Sequence, residues 1–198
     1  MSELIINTAF EAFAIEADSI NETAKVLDPE QLAKAVEALA TAPRIGAAGC
    51  GHSGIACQHF THLMCCIERP ARFISPAEAV HGGLGFIQEG DVMLWASRGG
   101  KTDELIQIVD ICKKKGAFII GVTENLSSPL AERSDAVLAM KVTRECDKYN
   151  CQGTTSFAVT CAIFDALQAA LIERTGYQNE QFAVIHPGGA VGKRLNNK

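Results

Sequence analysis

Between residues 44 and 140 the chain alternates short apolar runs with longer amphipathic stretches, and this alternation most narrows its choice of fold. Residues 44–48, 71–75, 91–96, 117–122 and 135–140 read as strands. Residues 53–67, 102–115, 128–133 and 154–175 read as helices, with 76–90 as a loop. Strands that are apolar along their whole length and separated by helices imply a parallel sheet covered on both faces. The expected fold class is therefore α/β, a five-stranded doubly wound parallel sheet flanked by helices, with further helices at the N-terminus. Of those, residues 3–26 form one, with Ile6, Phe10, Phe13, Ala17 and Ile20 near helical spacing. Asp28 caps a second, and Pro29 stands in its first turn. The chain reads as one unit, residues 1–198, with a helical segment at 1–42 and an α/β core and tail at 43–198.

Ligands of such sheets bind beyond the carboxyl ends of the strands. The loops at 49–54, 97–102, 123–128 and 141–154 all follow strands and gather on that edge. The first, Gly49-Cys50-Gly51-His52-Ser53-Gly54, matches the dinucleotide pattern G-x-G-x-x-G. A dinucleotide site also needs an acid at the end of the second strand, and that strand ends in Ser75-Pro76. The better reading is a cradle for one phosphate, with Gly51, His52 and Ser53 at a helix N-terminus. A second such loop, Ser97-Arg98-Gly99-Gly100-Lys101-Thr102, offers two hydroxyls and two cations at the next helix start. Thr154 opens a third. Hydroxyls there also serve simply as helix caps, but several together on one edge suit a small phosphorylated ligand.

The formal net charge of −5 argues against a surface that reads nucleic-acid phosphates broadly, so an anion must be held locally. Glu3, Glu11, Glu16 and Asp18 interrupt the N-terminal apolar runs, so no signal peptide is expected. No run of 18 residues is apolar throughout, so no membrane span is expected either. The eight cysteines contain no C-x-x-C pair and read as buried or half-buried free thiols of a reducing, cytoplasmic setting.

The tail is the last unusual segment. Ile185-His186-Pro187-Gly188-Gly189-Ala190-Val191-Gly192 spends three glycines and a proline where chains commonly fray, which implies a defined shape with His186 at its entrance.

Four segments in this order resemble the SIS (sugar isomerase) domain of arabinose-5-phosphate isomerases. They are the Gly-x-Gly-x-Ser-Gly loop, the segment Pro76-Ala77-Glu78-Ala79-Val80-His81-Gly82-Gly83-Leu84-Gly85, the loop from Ser97 to Glu104, and His186-Pro187-Gly188-Gly189-Ala190. The resemblance runs from about residue 40 to 195. It implies an aldose–ketose isomerase acting on a sugar phosphate without metal or nucleotide cofactor. By the same resemblance Ser53, Ser97 and Thr102 hold the phosphate, while Glu104, Glu145, His81 and His186 supply acid–base chemistry. His186 is the candidate for ring opening and Glu145 for moving the proton between C1 and C2. Bland readings stand beside these. Glu145 is otherwise a surface partner of Arg144 or Lys148, Glu104 a solvated partner of Lys101, and His81 a loop residue. His59 and His62 read as packing or interface residues.

The chain departs from the family at the phosphate. His52 stands where lysine is usual, exchanging a permanent cation for a group that changes charge near neutrality. The second loop usually reads Ser-Asn-Ser-Gly-Glu, so Gly99 removes a hydroxyl while Arg98 and Lys101 add cations that suit a phosphate. The 198-residue sequence also carries no pair of CBS domains. These changes motivate one alternative, a non-catalytic sugar-phosphate sensor on the same fold. The resemblance further implies dimers or tetramers with sites shared between chains, and the apolar helix 3–26 is the surface expected to pack on another copy.

Overall fold

The structure is a computed structural model that describes residues 2–196. Two helices, α1 (Glu3–Val26) and α2 (Pro29–Thr41), precede five parallel strands. These are β1 (Ile45–Gly49), β2 (Ala71–Phe73), β3 (Val92–Ala96), β4 (Phe118–Thr123) and β5 (Ala136–Ala139), ordered β2-β1-β3-β4-β5. The connecting helices are α3 (Gly51–Cys66), α4 (Pro76–Ala79), α5 (Asp103–Lys114) and α6 (Pro129–Arg133). After β5 come α7 (Thr155–Thr175), α8 (Asn179–Ile185) and α9 (Gly189–Asn196). The order reverses between β1 and β3, which flank each other with Leu94 opposite Ala47. A crevice opens at such a reversal on the carboxyl edge.

Alternate residues of each strand point to opposite faces. Val92, Leu94, Ile120, Val122 and Leu138 pack under Phe60 and Met64 of α3 and Phe164 and Leu167 of α7. Met93, Trp95 and Ile119 pack against Leu105, Ile108 and Val109 of α5 on the other face. Each such side chain, fully buried, contributes about 1.5–3 kcal/mol relative to exposure. The carboxylate of Asp28 accepts from the amides of Glu30 (2.7 Å) and Gln31 (3.1 Å), so α2 starts where a cap and proline predict. Both margins of the sheet are blunted. The side-chain oxygen of Gln31 accepts from Val137 N at 3.0 Å on β5, and the opposite margin, β2, has only three residues.

Three expectations gain detail from the fold. The tail has the defined shape expected of it, formed by α8 and α9 with the turn at His186, and Gly192 lets α9 close on the carbonyl of His186. The loop at 76–90 contains α4 and a 3₁₀ turn at Gly83–Phe86. Finally, α7 is long and apolar enough to cross a membrane by length and composition, and in this fold it packs against α1, α2 and α3. Of the cysteines, Cys57 and Cys112 are buried as expected, whereas Cys65 and Cys151 are exposed.

Candidate functional site at the carboxyl edge of the sheet

The first Gly/Ser loop is built by contact. A Cβ on Gly49 would lie 2.8 Å from the Ser53 carbonyl group, and one on Gly54 would lie 2.6 Å from the Gly49 oxygen. Only glycines let α3 begin directly on the end of β1. Gly51 opens that helix at φ +54°, a backbone angle side chains resist. The free N–H groups of the first turn, with half-buried Ser53 among them, therefore face the crevice end of β1.

The loop after β3 is pinned from behind. The Arg98 carbonyl accepts from Thr123 Oγ1 (2.9 Å) and Glu124 N (3.0 Å), and Leu130 N donates to the Gly100 carbonyl at 3.2 Å. Gly100, at φ +63°, passes so close to Ser128 that no side chain fits. The Gly100 amide donates to Ser97 Oγ at 3.1 Å, and Ser97 and Thr102 share a hydroxyl hydrogen bond of 3.0 Å. Two predicted phosphate hydroxyls are thus paired with each other at the start of α5, where the helix field favours an anion.

Between these loops lies a cavity of about 540 Å³. Gly49, Cys50 and Gly51 line one side, Ser75, Pro76 and Val80 another, and Asp103, Glu104 and Gln107 of α5 a third. Glu104 has no hydrogen bond or ion pair among the described residues, so the expected alternative of a pair with Lys101 is not what the fold shows. Burial, and then the Glu104 charge, push the Cys50 thiol above its usual range. His81 is exposed and follows the cavity residue Val80, but does not itself line the cavity.

A second cluster sits at the ends of β4 and β5. Glu145 is 3% exposed, not a surface partner of Arg144 or Lys148. One of its oxygens accepts from Arg98 Nη1 at 2.7 Å; the other accepts from Ser156 N (3.2 Å) and Thr154 Oγ1 (3.4 Å). Arg98 Nε also donates to Glu124 at 2.9 Å. The expected phosphate cation Arg98 is therefore engaged by two carboxylates, which leaves exposed Lys101 as the available cation of that loop. The loop carrying Glu145 folds around Asp147, whose carboxylate accepts from the amides of Tyr149, Cys151 and Gln152, and those donors hold it below its usual range. His52 packs edge-on to Phe157 with ring centroids 6.1 Å apart, which brings the first loop against the start of α7.

The fold does not bring His186 to this edge. α3 runs 16 residues away from Gly51, roughly 24 Å at the helical rise, and Gln181 on α8 bonds Glu68 just beyond its far end. His186 follows five residues later, stacked on Phe182 at 4.9 Å, with a buried Nδ1 that has no partner. His59 instead pairs with Asp165 at 3.2 Å, and His62 contacts Cys66, as packing residues do. Glu124, Asp147 and Asn150, which organise the second cluster, carried no local sequence signal. Asn150 has φ +56°, and Asn is the common non-glycine residue there.

The SIS domain profile matches residues 38–170. The chain belongs to the SIS domain family. Arabinose 5-phosphate isomerase KdsD of Pseudomonas aeruginosa is 33% identical to this SIS protein over 190 residues, 96% of this chain and 58% of that one. KpsF of Escherichia coli, of the same activity by name, is 34% identical over 192 residues, 96% of this chain and 61% of that one. The SIS chain thus spans about three-fifths of the length of these relatives. Among solved structures it superposes on a candidate sugar-phosphate isomerase of Listeria monocytogenes with a TM-score of 0.91 and 40% identity, covering 95% of this chain and 100% of that one. A protein of E. coli CFT073 in complex with arabinose 5-phosphate gives a TM-score of 0.83 at 26% identity, covering 94% and 100%. The SIS fold and the sugar-phosphate isomerase family are thereby established.

Proposed function

We propose that this chain is a cytoplasmic aldose–ketose isomerase of a phosphorylated sugar, with arabinose 5-phosphate as the first substrate to test. The observation that carries this reading is the cavity at the β1–β3 reversal, where two pinned helix starts meet an unpaired carboxylate, Glu104. In this reading Ser53, Ser97, Thr102 and the first-turn amides of α3 and α5 hold the phosphate, with Lys101 as its cation, beside the cavity that their neighbours Gly51, Gly54 and Asp103 line. That grip fixes the sugar so that the reaction proceeds within one bound geometry.

Ring opening is followed by removal of the proton at C2, formation of an enediol, and return of a proton at C1. Glu145, buried and held at the start of α7, the helix whose Phe157 packs on His52, is the group assigned to that transfer. Glu104 serves the sugar oxygens from the cavity wall. His186 opens the ring from a second copy, because its own chain holds it on the far side of α3. The apolar face of α1, with Phe10 and Phe13 about 70% exposed, is the surface on which copies associate as dimers or tetramers.

The non-catalytic sensor has one observation in its favour, since both oxygens of Glu145 are already occupied. Incubation with a panel of aldose and ketose phosphates in deuterated water separates the two. Deuterium at C1 or C2, followed by NMR and lost in Glu145→Gln, supports the isomerase. Ligand-induced shifts without exchange for any sugar defeat it.

A further inference from the structure

Arg98 begins on the phosphate loop and ends on the acids of the next two strands. Its main chain is fixed independently, because its carbonyl accepts from Glu124 N (3.0 Å) and Thr123 Oγ1 (2.9 Å). From that fixed base Nε–H donates to Glu124 Oε2 at 2.9 Å and Nη1–H donates to Glu145 Oε1 at 2.7 Å. The other oxygen of Glu124, Oε1, accepts from Val142 N at 3.1 Å and pairs with Lys141 Nζ at 3.7 Å, so the same carboxylate that holds Arg98 also holds the start of the Glu145 loop. Arg98 is the sole cation paired with Glu145 among the described residues. The remaining bonds to Glu145, at 3.2 and 3.4 Å, both fall on Oε2 and are long, leaving that oxygen the less committed one.

A carboxylate turns easily about its last torsion, and a short charge-assisted bond to one oxygen stops that rotation. We propose that Arg98 is a positioning residue for Glu145, fixing Oε1 so that Oε2 is presented for proton transfer, and that it is not a ligand of the substrate phosphate. The inference rests on the isomerase reading of Glu145 given above. Its fork geometry matters as much as its charge: a guanidinium reaches Glu124 and Glu145 together, whereas an ammonium is a single point charge.

The full chain tests this with whichever sugar phosphate it turns over, arabinose 5-phosphate being tried first. Arg98→Met is expected to lower kcat about 100-fold, the usual cost of a misplaced group, while KM stays within about threefold. Arg98→Lys is expected to restore about tenfold of that loss, since it returns charge without the fork. A raised KM with kcat intact overturns the proposal, because Arg98 then binds phosphate. So does an Arg98→Met/Glu145→Gln double variant more active than both single variants, because relief on removing both partners marks a purely structural buried pair. If Arg98→Met does not fold, Arg98→Lys carries the same kcat-against-KM comparison.

A second readout needs no substrate. Amide hydrogen exchange at Ser156, which donates to Glu145, is expected to quicken about tenfold in Arg98→Met or Arg98→Lys. A wild-type chain that exchanges deuterium into no sugar phosphate defeats the isomerase reading alone. In that event quickened exchange still supports the placement of Glu145 by Arg98, and unchanged exchange at Ser156 overturns it.

Discussion

Gly153 stands close against His52: a Cβ on residue 153 would lie 2.8 Å from the Nδ1 atom of His52, so the imidazole would have to move to admit one. The contact ties the loop before α7 to the loop after β1, so the setting of His52 depends on a residue a hundred positions away. Gly153→Ala is expected to lower the melting temperature slightly and to raise KM as the His52 ring is turned away from its present setting. Thermal melting and steady-state kinetics check both; an unchanged KM in a folded variant disconnects His52 from the ligand.

His186 lies beyond the far end of α3 while Glu104 lines the cavity at its near end. His186→Ala and Glu104→Gln are each expected to be inactive alone. Refolded together at equal concentration, they should regain about a quarter of wild-type activity, because a shared site between copies takes one group from each chain. No recovery in confirmed mixed oligomers places ring opening within a single chain.

The exposed faces of Phe10 and Phe13 on α1 predict their own result. Phe10→Glu with Phe13→Glu is expected to yield monomers by sedimentation at micromolar concentration, with activity lost although circular dichroism is retained. A monomeric wild-type chain under those conditions removes the basis for the shared site.

The loop around Asp147 gives a pH dependence with a definite sign. Its carboxyl sits below the ordinary value of 3.8, with the Gln152 amide as the largest cause. A depressed carboxylate stabilises the fold at pH above its unfolded value, and that contribution is lost as pH falls through the folded value. Hydrogen exchange at Cys151 and Gln152 should therefore quicken only below about pH 4, and Asp147→Asn should show the quickened rate already at pH 7.

Thiol reactivity follows exposure and charge. The Cys50 thiol is pushed up by burial and by Glu104, and burial raises Cys112 to about 12 and Cys161 to about 11. Iodoacetamide at pH 7.5 should label Cys65 and Cys151 first and spare these three, since the thiolate is the nucleophile. Peptide mass spectrometry reads the order, and rapid labelling of Cys50 refutes the assignment.

The strands and their helices were legible because they are local: each apolar run and each amphipathic stretch declares itself within a dozen residues. The first two loops were legible for the same reason, glycine and hydroxyl following strand. Arg98 was not. Next to Ser97 and Lys101 it reads as a phosphate cation, and the acids that claim it lie 26 and 47 residues away. The resemblance singles out Glu145 for proton transfer, but its burial, and its bonds to Arg98 and Ser156, emerge only when the start of α7 closes over it. His186 announces a defined tail, but its place on the far side of α3 depends on how α7 ends and α8 turns back.

The glutamine that caps Val137 on β5, and the brevity of β2 opposite, also govern how this protein meets its own kind. A parallel sheet left open at its margins is a template for further strands, from a twin or from a misfolded neighbour. Here one margin offers a side chain where the next strand would bond, and the other ends after three residues. Self-association is thereby left to the helical exterior, where exposed Phe10 and Phe13 of α1 are the surface expected to meet another copy and no strand edge is on offer for fibre growth.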